Sequence, residues 1–123
     1  MVIKKLIALL RANPLLAALK IEPFAVEGIQ NSIIYTFTPI SDNNIVRKDR
    51  LEIHIISKDY ETLFSIDEAV RATLLTTGDA PLCDGIYKVD ANGGGTMEDA
   101  ATVTKHLITY FYVVSDGGIR NNG

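Results

Sequence analysis

The sequence predicts an α+β domain in which helices cover one face of a four-stranded, mainly antiparallel sheet. The chain has 123 residues, about the length of one domain. Two segments repeat apolar residues every three or four positions, which is typical of amphipathic helices. Other segments are rich in β-branched and aromatic residues or alternate apolar with polar residues, which is typical of strands. The predicted order is helix, strand, strand, helix, strand, strand. No linker divides the chain, so residues 1–123 are predicted to form a single domain, with 115–123 as a flexible C-terminal tail.

The N-terminal segment has the periodicity of an amphipathic helix over residues 2–12. Asn13 is a good N-cap and Pro14 suits a first helical position, which predicts a second helical piece over 14–20. Pro23 ends that piece. The residues on the apolar face of the first helix are Ile3, Leu6, Ile7 and Leu10.

A β-hairpin follows. Residues 33–38 are rich in β-branched and aromatic side chains, which is typical of a strand. A longer strand is predicted over 46–57, where apolar and polar residues alternate. The polar residues 41–44 between the two strands predict the turn. The alternating apolar positions of the second strand are Leu51, Ile53 and Ile55.

A long helix is predicted from about Asp59, with Gly78 as its stop signal. Its apolar residues form one stripe at helical spacing. They are Leu63, Ile66, Val70 and Leu74.

The last third of the chain predicts a second hairpin. A short strand over 85–90 is joined to a final strand over 102–114 by a glycine-rich loop over 91–98. Because glycine restricts the backbone least, we expect this loop to be mobile in the free protein and ordered in an assembly. The alternative is a spacer that stays disordered in both states. The final strand is apolar on both faces, so both faces need cover.

Composition excludes several classes of protein. The net charge is −3, which argues against a nucleic-acid binder driven by positive charge. One cysteine excludes an internal disulfide framework and a zinc site built from several thiolates, and two histidines leave few metal ligands. The N-terminal apolar run is five residues long before Arg11, too short for a signal peptide or a membrane span. We therefore expect a soluble cytoplasmic chain with no membrane partner.

The sequence offers weak candidates for catalysis. Cys83 lies in no recognisable motif, and His54 and His106 suit a protein surface better than a metal site. The carboxylate pairs 67–68 and 98–99 are interpreted as solvated surface. The three glycines at 93–95 lack the lysine of a phosphate-binding loop. No enzyme activity, cofactor or metal is predicted.

Several residues are instead predicted to form an interface. Tyr110 and Tyr112 share one face of the final strand, and tyrosine is enriched at protein interfaces. A basic run starts the second strand, and two polar or glycine-rich loops project beyond the sheet in this interpretation. The alternatives are tyrosines packed under the helices and a charged edge that discourages aggregation. The remaining predicted interface residues are Arg47, Lys48, Arg50, Asn43, Asn44, Gly93, Gly94 and Gly95.

The chain resembles the tail terminator, or tail-completion, proteins of long-tailed (siphovirus-like) bacteriophages. The resemblance covers residues 3–115 and is one of pattern: the N-terminal helix, the hairpin Ile33–Ser57, the packing helix Leu63–Leu75 and the final strand Lys105–Val114. It contains no catalytic residue set.

This resemblance implies a homo-oligomeric ring, a homohexamer, at the head-proximal end of the tail. Such a ring caps the tail tube, stops its polymerisation and joins it to the head-tail connector or stopper protein. DNA passes through the lumen without sequence-specific binding. The implied location is the neck of the virion, assembled in the host cytoplasm.

Two alternatives remain from the sequence. One is another neck, connector or minor capsid component of the same kind of virion. The other is a small-molecule-binding or enzymatic domain with a ferredoxin-like sheet, which requires a pocket with convergent polar groups.

Overall fold

The computed structural model describes residues 2–24, 31–43, 45–77, 80–101 and 103–116. The predicted α+β class is confirmed, but the sheet has five strands instead of four and is mixed. Its strand order is β1-β2-β3-β5-β4, with β1 parallel to β2 and all other neighbours antiparallel. The elements are α1 Val2–Ala12, β1 Lys20–Pro23, β2 Ser32–Asp42, β3 Val46–Ser57, α2 Tyr60–Leu74, β4 Ile86–Asp99 and β5 Thr104–Asp116.

One face of the sheet, here called the helix side, packs against both helices. Leu51 and Ile53 of β3 and Phe111 of β5 are fully buried there. They form one hydrophobic cluster with the apolar stripes of the helices, including Leu6 of α1 and Leu63 of α2. Burying each large apolar side chain contributes about 1.5–3 kcal/mol, so this face holds the fold together.

The segment after α1 differs from its prediction. Instead of a second helix over 14–20, the chain makes turns and then enters β1. The side chain of Asn13 stabilises the turn, because its Oδ1 accepts the Leu15 N–H at 2.9 Å and its Nδ2 donates to Thr73 Oγ1 at 2.8 Å. Strand β1 was missed because four residues show no periodicity. Its pairing with residues 32–35 of β2 supplies the backbone hydrogen bonds.

The first hairpin is confirmed, with a shorter turn than predicted. Ser41 and Asp42 continue β2 in register with β3, after a register shift beside Pro39. The turn is centred on Asn43, whose Oδ1 accepts the N–H groups of Ile45 and Val46 at 3.0 and 2.7 Å. An asparagine side chain often closes a turn in this way.

Helix α2 begins one residue after its N-cap. Asp59 is extended, and its side chain accepts the Glu61 N–H at 3.3 Å and the Thr62 hydroxyl at 2.7 Å. The helix ends at Leu74, before the predicted stop at Gly78, which lies outside the described residues.

The predicted loop over 91–98 is wrong. These residues continue β4 to Asp99 and pair with β5, which begins at Thr104. Gly93 and Gly94 have φ angles of 85° and 152°, at a register shift between Ala91 and Gly94. A Cβ atom on Gly94 would overlap the Ile108 carbonyl oxygen. Glycine is therefore needed here for close approach between strands.

The end of β5 also departs from the sequence analysis. The sequence predicts that Ser115 and Asp116 begin the tail, but they belong to the strand. The backbone N–H of Asp116 donates to the Gly85 carbonyl at 2.9 Å. Residues 117–123 lie outside the described residues.

Candidate functional site: the outer face of the sheet

The second face of the sheet, here called the outer face, is formed by the side chains that alternate with the buried ones. All of the side chains listed below for β3 and β5 are exposed or partly exposed. The outer face comprises Lys48, Arg50, Glu52, His54 and Ile56 of β3, His106, Ile108, Tyr110, Tyr112 and Val114 of β5, and Lys88 and Asp90 of β4.

A shallow cleft of about 390 Å³ lies on the outer face, across strands β3, β5 and β4. Tyr112, which is 43% exposed, contributes an aromatic wall. Lys48 and Lys88 bring two ammonium groups to the cleft, and Lys88 Nζ lies 3.5 Å from Asp90 Oδ2. Because both partners of this ion pair are more than half exposed, it adds little stability. The other residues lining the cleft are Ile40 and Val114.

Four of the predicted interface residues meet on this face. Lys48, Arg50, Tyr110 and Tyr112 occupy neighbouring positions of β3 and β5 in the antiparallel register. The Arg50 guanidinium carbon lies 5.2 Å from the centroid of the Tyr110 ring, within the range of a cation–π contact. The result is a surface of aromatic and cationic side chains, a composition that recurs at protein interfaces.

Arg47 faces the helix side. Its Nε donates to Asp49 Oδ1 and Oδ2 at 3.0 and 2.9 Å, and its guanidinium carbon lies 5.9 Å from the Phe37 ring centroid. The Asp49 side chain is fully buried. Burial raises the pKa of Asp49 above its ordinary value, while the hydrogen bond and charge of Arg47 oppose that rise.

The remaining predicted interface residues are dispersed. Asn43 lies in the turn between β2 and β3. Asn44 lies outside the described residues. The glycines at 93–95 lie in the exposed stretch of β4, beside a cleft against α2.

The two histidines form a pair that sequence reasoning missed. His54 Nε2 lies 2.7 Å from His106 Nδ1, and His106 Nε2 lies 2.9 Å from Thr104 Oγ1. Burial lowers the pKa of His54, electrostatic repulsion between the two imidazoles lowers it further, and Glu52 opposes the shift. The residues are 52 positions apart in the chain, so only the β3–β5 register brings them together.

Asp67 was also misread as solvated surface. Its side chain reaches the helix side, where Oδ1 accepts the Thr109 hydroxyl at 2.9 Å. Its Oδ2 accepts from Arg71 Nε at 2.7 Å, one helical turn away. Asp67 is 7% exposed, while its neighbour Glu68 is exposed. A carboxylate buried on an otherwise apolar stripe is stable only because both oxygens are bonded.

Cys83 and His54 lie on opposite sides of the sheet. Cys83 packs against the core of the helix side, whereas His54 lies on the outer face. In the described ranges, no group of three or more His, Cys, Asp or Glu side chains is arranged to hold a metal ion.

The described helices are too short or too polar to cross a membrane.

Comparisons with known proteins give a fold and no family. No protein-family model matches the chain, and no curated protein matches its sequence. Among solved structures, the chain is similar to a chain of the "Virion of native gene transfer agent (GTA) particle". The two share 16% sequence identity over 90% of this chain and 91% of that chain, with a TM-score of 0.67. This likeness shows that the fold is shared over nearly the whole length.

Proposed function

We propose that this protein is a structural virion protein that forms a ring at the head-proximal end of a phage tail tube. In this role it ends tube polymerisation and joins the tail to the head connector. The observation that carries the proposal is the fold shared with a virion chain over 90% of the length, at a TM-score of 0.67. The resemblance to tail terminator proteins, drawn from the order of elements, supports the more specific role.

The difference in burial between the two faces of the sheet supports a binding role for the outer face. The helix side contains the hydrophobic cluster that stabilises the subunit. The outer face therefore does not have to supply the core, and its tyrosines and cations are available to a partner. We infer that catalysis is not part of the function, and that the partners are proteins of the particle.

A ring is a natural assembly for such a subunit. Contacts between different surfaces of identical chains generate rings when the rotation closes. We propose a hexamer that contacts the tail tube protein on one side and the connector or stopper protein on the other. The net charge of −3 suits a lumen that lets DNA pass without retaining it.

The test is a tube-length experiment. Purified tail tube protein of the same particle is allowed to polymerise with and without this protein, and tube lengths are measured by electron microscopy. We expect shorter tubes with a ring at one end. In parallel, light scattering of the mixture is expected to reveal a complex several times heavier than the 13.5 kDa chain.

The matched variants are Tyr112→Ser on the outer face and Tyr60→Ser on α2. These tyrosine side chains are 43% and 50% exposed, so the two substitutions remove similar amounts of exposed aromatic surface. We expect Tyr112→Ser to weaken tube termination and Tyr60→Ser to leave it unchanged. A ring that binds connector protein without limiting tube length would favour another neck component. A folded protein that neither assembles nor affects tubes would contradict the proposal.

A further inference from the structure

The two edges of the sheet differ in how far their backbone groups can accept another strand. At the β1 edge, the Ile21 carbonyl accepts a hydrogen bond from Arg11 at 2.8 Å, and Pro23 has no N–H to donate. The part of β2 that extends beyond β1 contains Pro39, which also lacks an N–H. This edge is therefore a poor template for strand addition.

The opposite edge is β4, and the segment after α2 covers its first half. The Val89 N–H donates to Thr76 Oγ1 at 3.2 Å, and the Val89 carbonyl accepts the Thr76 N–H at 3.2 Å. The Ile86 carbonyl accepts the Leu82 N–H at 3.0 Å. Within the described ranges, no comparable bond reaches the outward backbone groups of residues 94–98, here called the open edge.

The strand register shows which backbone groups face outward along the open edge. The Asp116 N–H donates to the Gly85 carbonyl, so even-numbered residues of β5 direct their backbone groups toward β4. This alternation holds along β5, because its pairing with β3 has no register shift. Gly94, Thr96 and Glu98 pair with odd-numbered residues of β5. Their N–H and C=O groups therefore point away from the sheet.

We propose that a second copy of this chain occupies the open edge, with the two β4 strands antiparallel about a two-fold axis at Thr96. In this register Thr96 forms a hydrogen-bonded pair with its own equivalent, and Gly94 pairs with Glu98 on either side of the axis. An axis one residue earlier or later loses one of these three pairs, because the regular pairing of β4 begins after the register shift at Ala91 and ends at Asp99.

The side chains of the open edge suit the same register. Glu98 lies opposite Gly94 of the second copy, so like charges do not face each other directly. The two Thr96 side chains form a favourable cross-strand pair. Met97 is 54% exposed and lies opposite Gly95 of the second copy, where a Cβ atom would have nothing within 4 Å. The glycine therefore leaves room for the methionine side chain.

The pairing closes the open edge of both copies, and an exposed strand edge is otherwise a site of aggregation. It joins two sheets and then stops, because the β1 edge cannot extend the sheet further. The contact lies at the edge of β4 and leaves Tyr110 and Tyr112 of β5 uncovered. The dimer is therefore independent of the proposed role in the virion.

The first experiment is disulfide trapping in a Cys83→Ala background, in a glutathione redox buffer and without other virion proteins. A hydrogen-bonded antiparallel pair places its Cα atoms about 5.5 Å apart, within the disulfide range of about 4.4–6.8 Å. We expect Thr96→Cys to be trapped as a dimer in more than about half of the chains. Glu98→Cys is the matched control on the same edge, because its two copies lie about 14 Å apart in this register. We expect it to be trapped in less than about a tenth of the chains.

The second experiment is sedimentation of the protein over a range of concentrations. We expect the wild type to approach twice the mass of the 13.5 kDa chain at high concentration. Thr96→Pro removes an N–H that faces away from β5, so it should stay folded by circular dichroism and remain a monomer. If that variant does not fold, the comparison of Thr96→Cys with Glu98→Cys decides.

Three outcomes would overturn the proposal. The first is a wild type that stays monomeric at millimolar concentration. The second is equal trapping of the two cysteine variants, since random collisions would produce that result. The third is a self-association that Thr96→Pro leaves unchanged, which would place the contact between copies elsewhere than on the open edge.

Discussion

On the helix side of the sheet, Leu51 and Phe111 are fully buried, whereas on the outer face the adjacent residues Arg50 and Tyr112 are exposed. The two pairs come from the same strands and differ by one position in each. Because side chains alternate in a strand, one stretch of chain serves both faces. Stability and recognition can therefore be separated residue by residue, since the helix side supplies the core and the outer face remains available to a partner.

The polar groups of the two faces differ in the same way. On the helix side, Asp67 and Asp49 are buried and each is bonded to an arginine. On the outer face, the Lys88–Asp90 pair is exposed, and its N–O distance is 3.5 Å. Loss of a partner is costly only where water cannot replace it. We therefore expect polar substitutions to be costly on the helix side and nearly neutral on the outer face.

The largest expected difference is between Phe111→Ala and Tyr112→Ala. Phe111→Ala leaves a cavity in the core and should lower the free energy of unfolding by about 3–5 kcal/mol. Tyr112→Ala, one residue away on the outer face, should cost less than about 1 kcal/mol. Urea unfolding followed by circular dichroism measures both. Similar losses in the two variants would mean that the outer face also contributes to the core.

The next effect compares two neighbouring carboxylates. Asp67→Ala removes the acceptor for Thr109 and Arg71, and should destabilise the protein by about 2–3 kcal/mol. Glu68→Ala, on the exposed side of the same helix, should change stability by less than about 0.5 kcal/mol. Both are read from chemical denaturation at pH 7. A neutral Asp67→Ala variant would show that the buried bonds contribute no net stability.

The edge strand β4 gives the third effect. Gly94→Ala places a methyl group against the Ile108 carbonyl in a backbone conformation with φ of 152°, and should cost about 2 kcal/mol. Gly95→Ala has no atom within 4 Å of the new methyl group and should be neutral within about 0.5 kcal/mol. Thermal melts of the two variants test this. Equal stability would mean that the 93–95 stretch is a flexible loop, as the sequence first predicted.

The smallest expected effect is a pH dependence from the histidine pair. The pKa of His54 is lowered in the folded protein, so between that value and 6.5 the unfolded chain binds more protons than the folded one. Stability is therefore full above pH 6.5, falls as the pH drops through this window, and levels off below the folded-state pKa. Thermal melts from pH 7.5 to 5 should show a shallower slope for His54→Gln than for the wild type. An unchanged slope would exclude His54 as its source.

Local periodicity was enough to predict most of the elements. The apolar stripes of α1 and α2 are formed by residues three or four positions apart, and the alternation of β3 by residues two positions apart. Both patterns are therefore visible in the sequence alone. The two hairpins followed from strands that are neighbours in the chain, and both were confirmed. Of the candidate site, the shared face of Tyr110 and Tyr112 followed from the same period-two rule.

Other features depended on partners far away in the chain. β1 is a strand because β2 pairs with it, Asp67 is buried because Thr109 meets it, and the two histidines meet only through the β3–β5 register. The glycines at 93–95 suggested mobility, yet the closeness of Ile108 makes Gly94 a packing requirement. The alternation of residues and the positions of most elements can be derived from local sequence patterns. Which strands pair and which polar side chains bond depends on the folded chain, because those contacts join residues that are distant in sequence and share no local pattern.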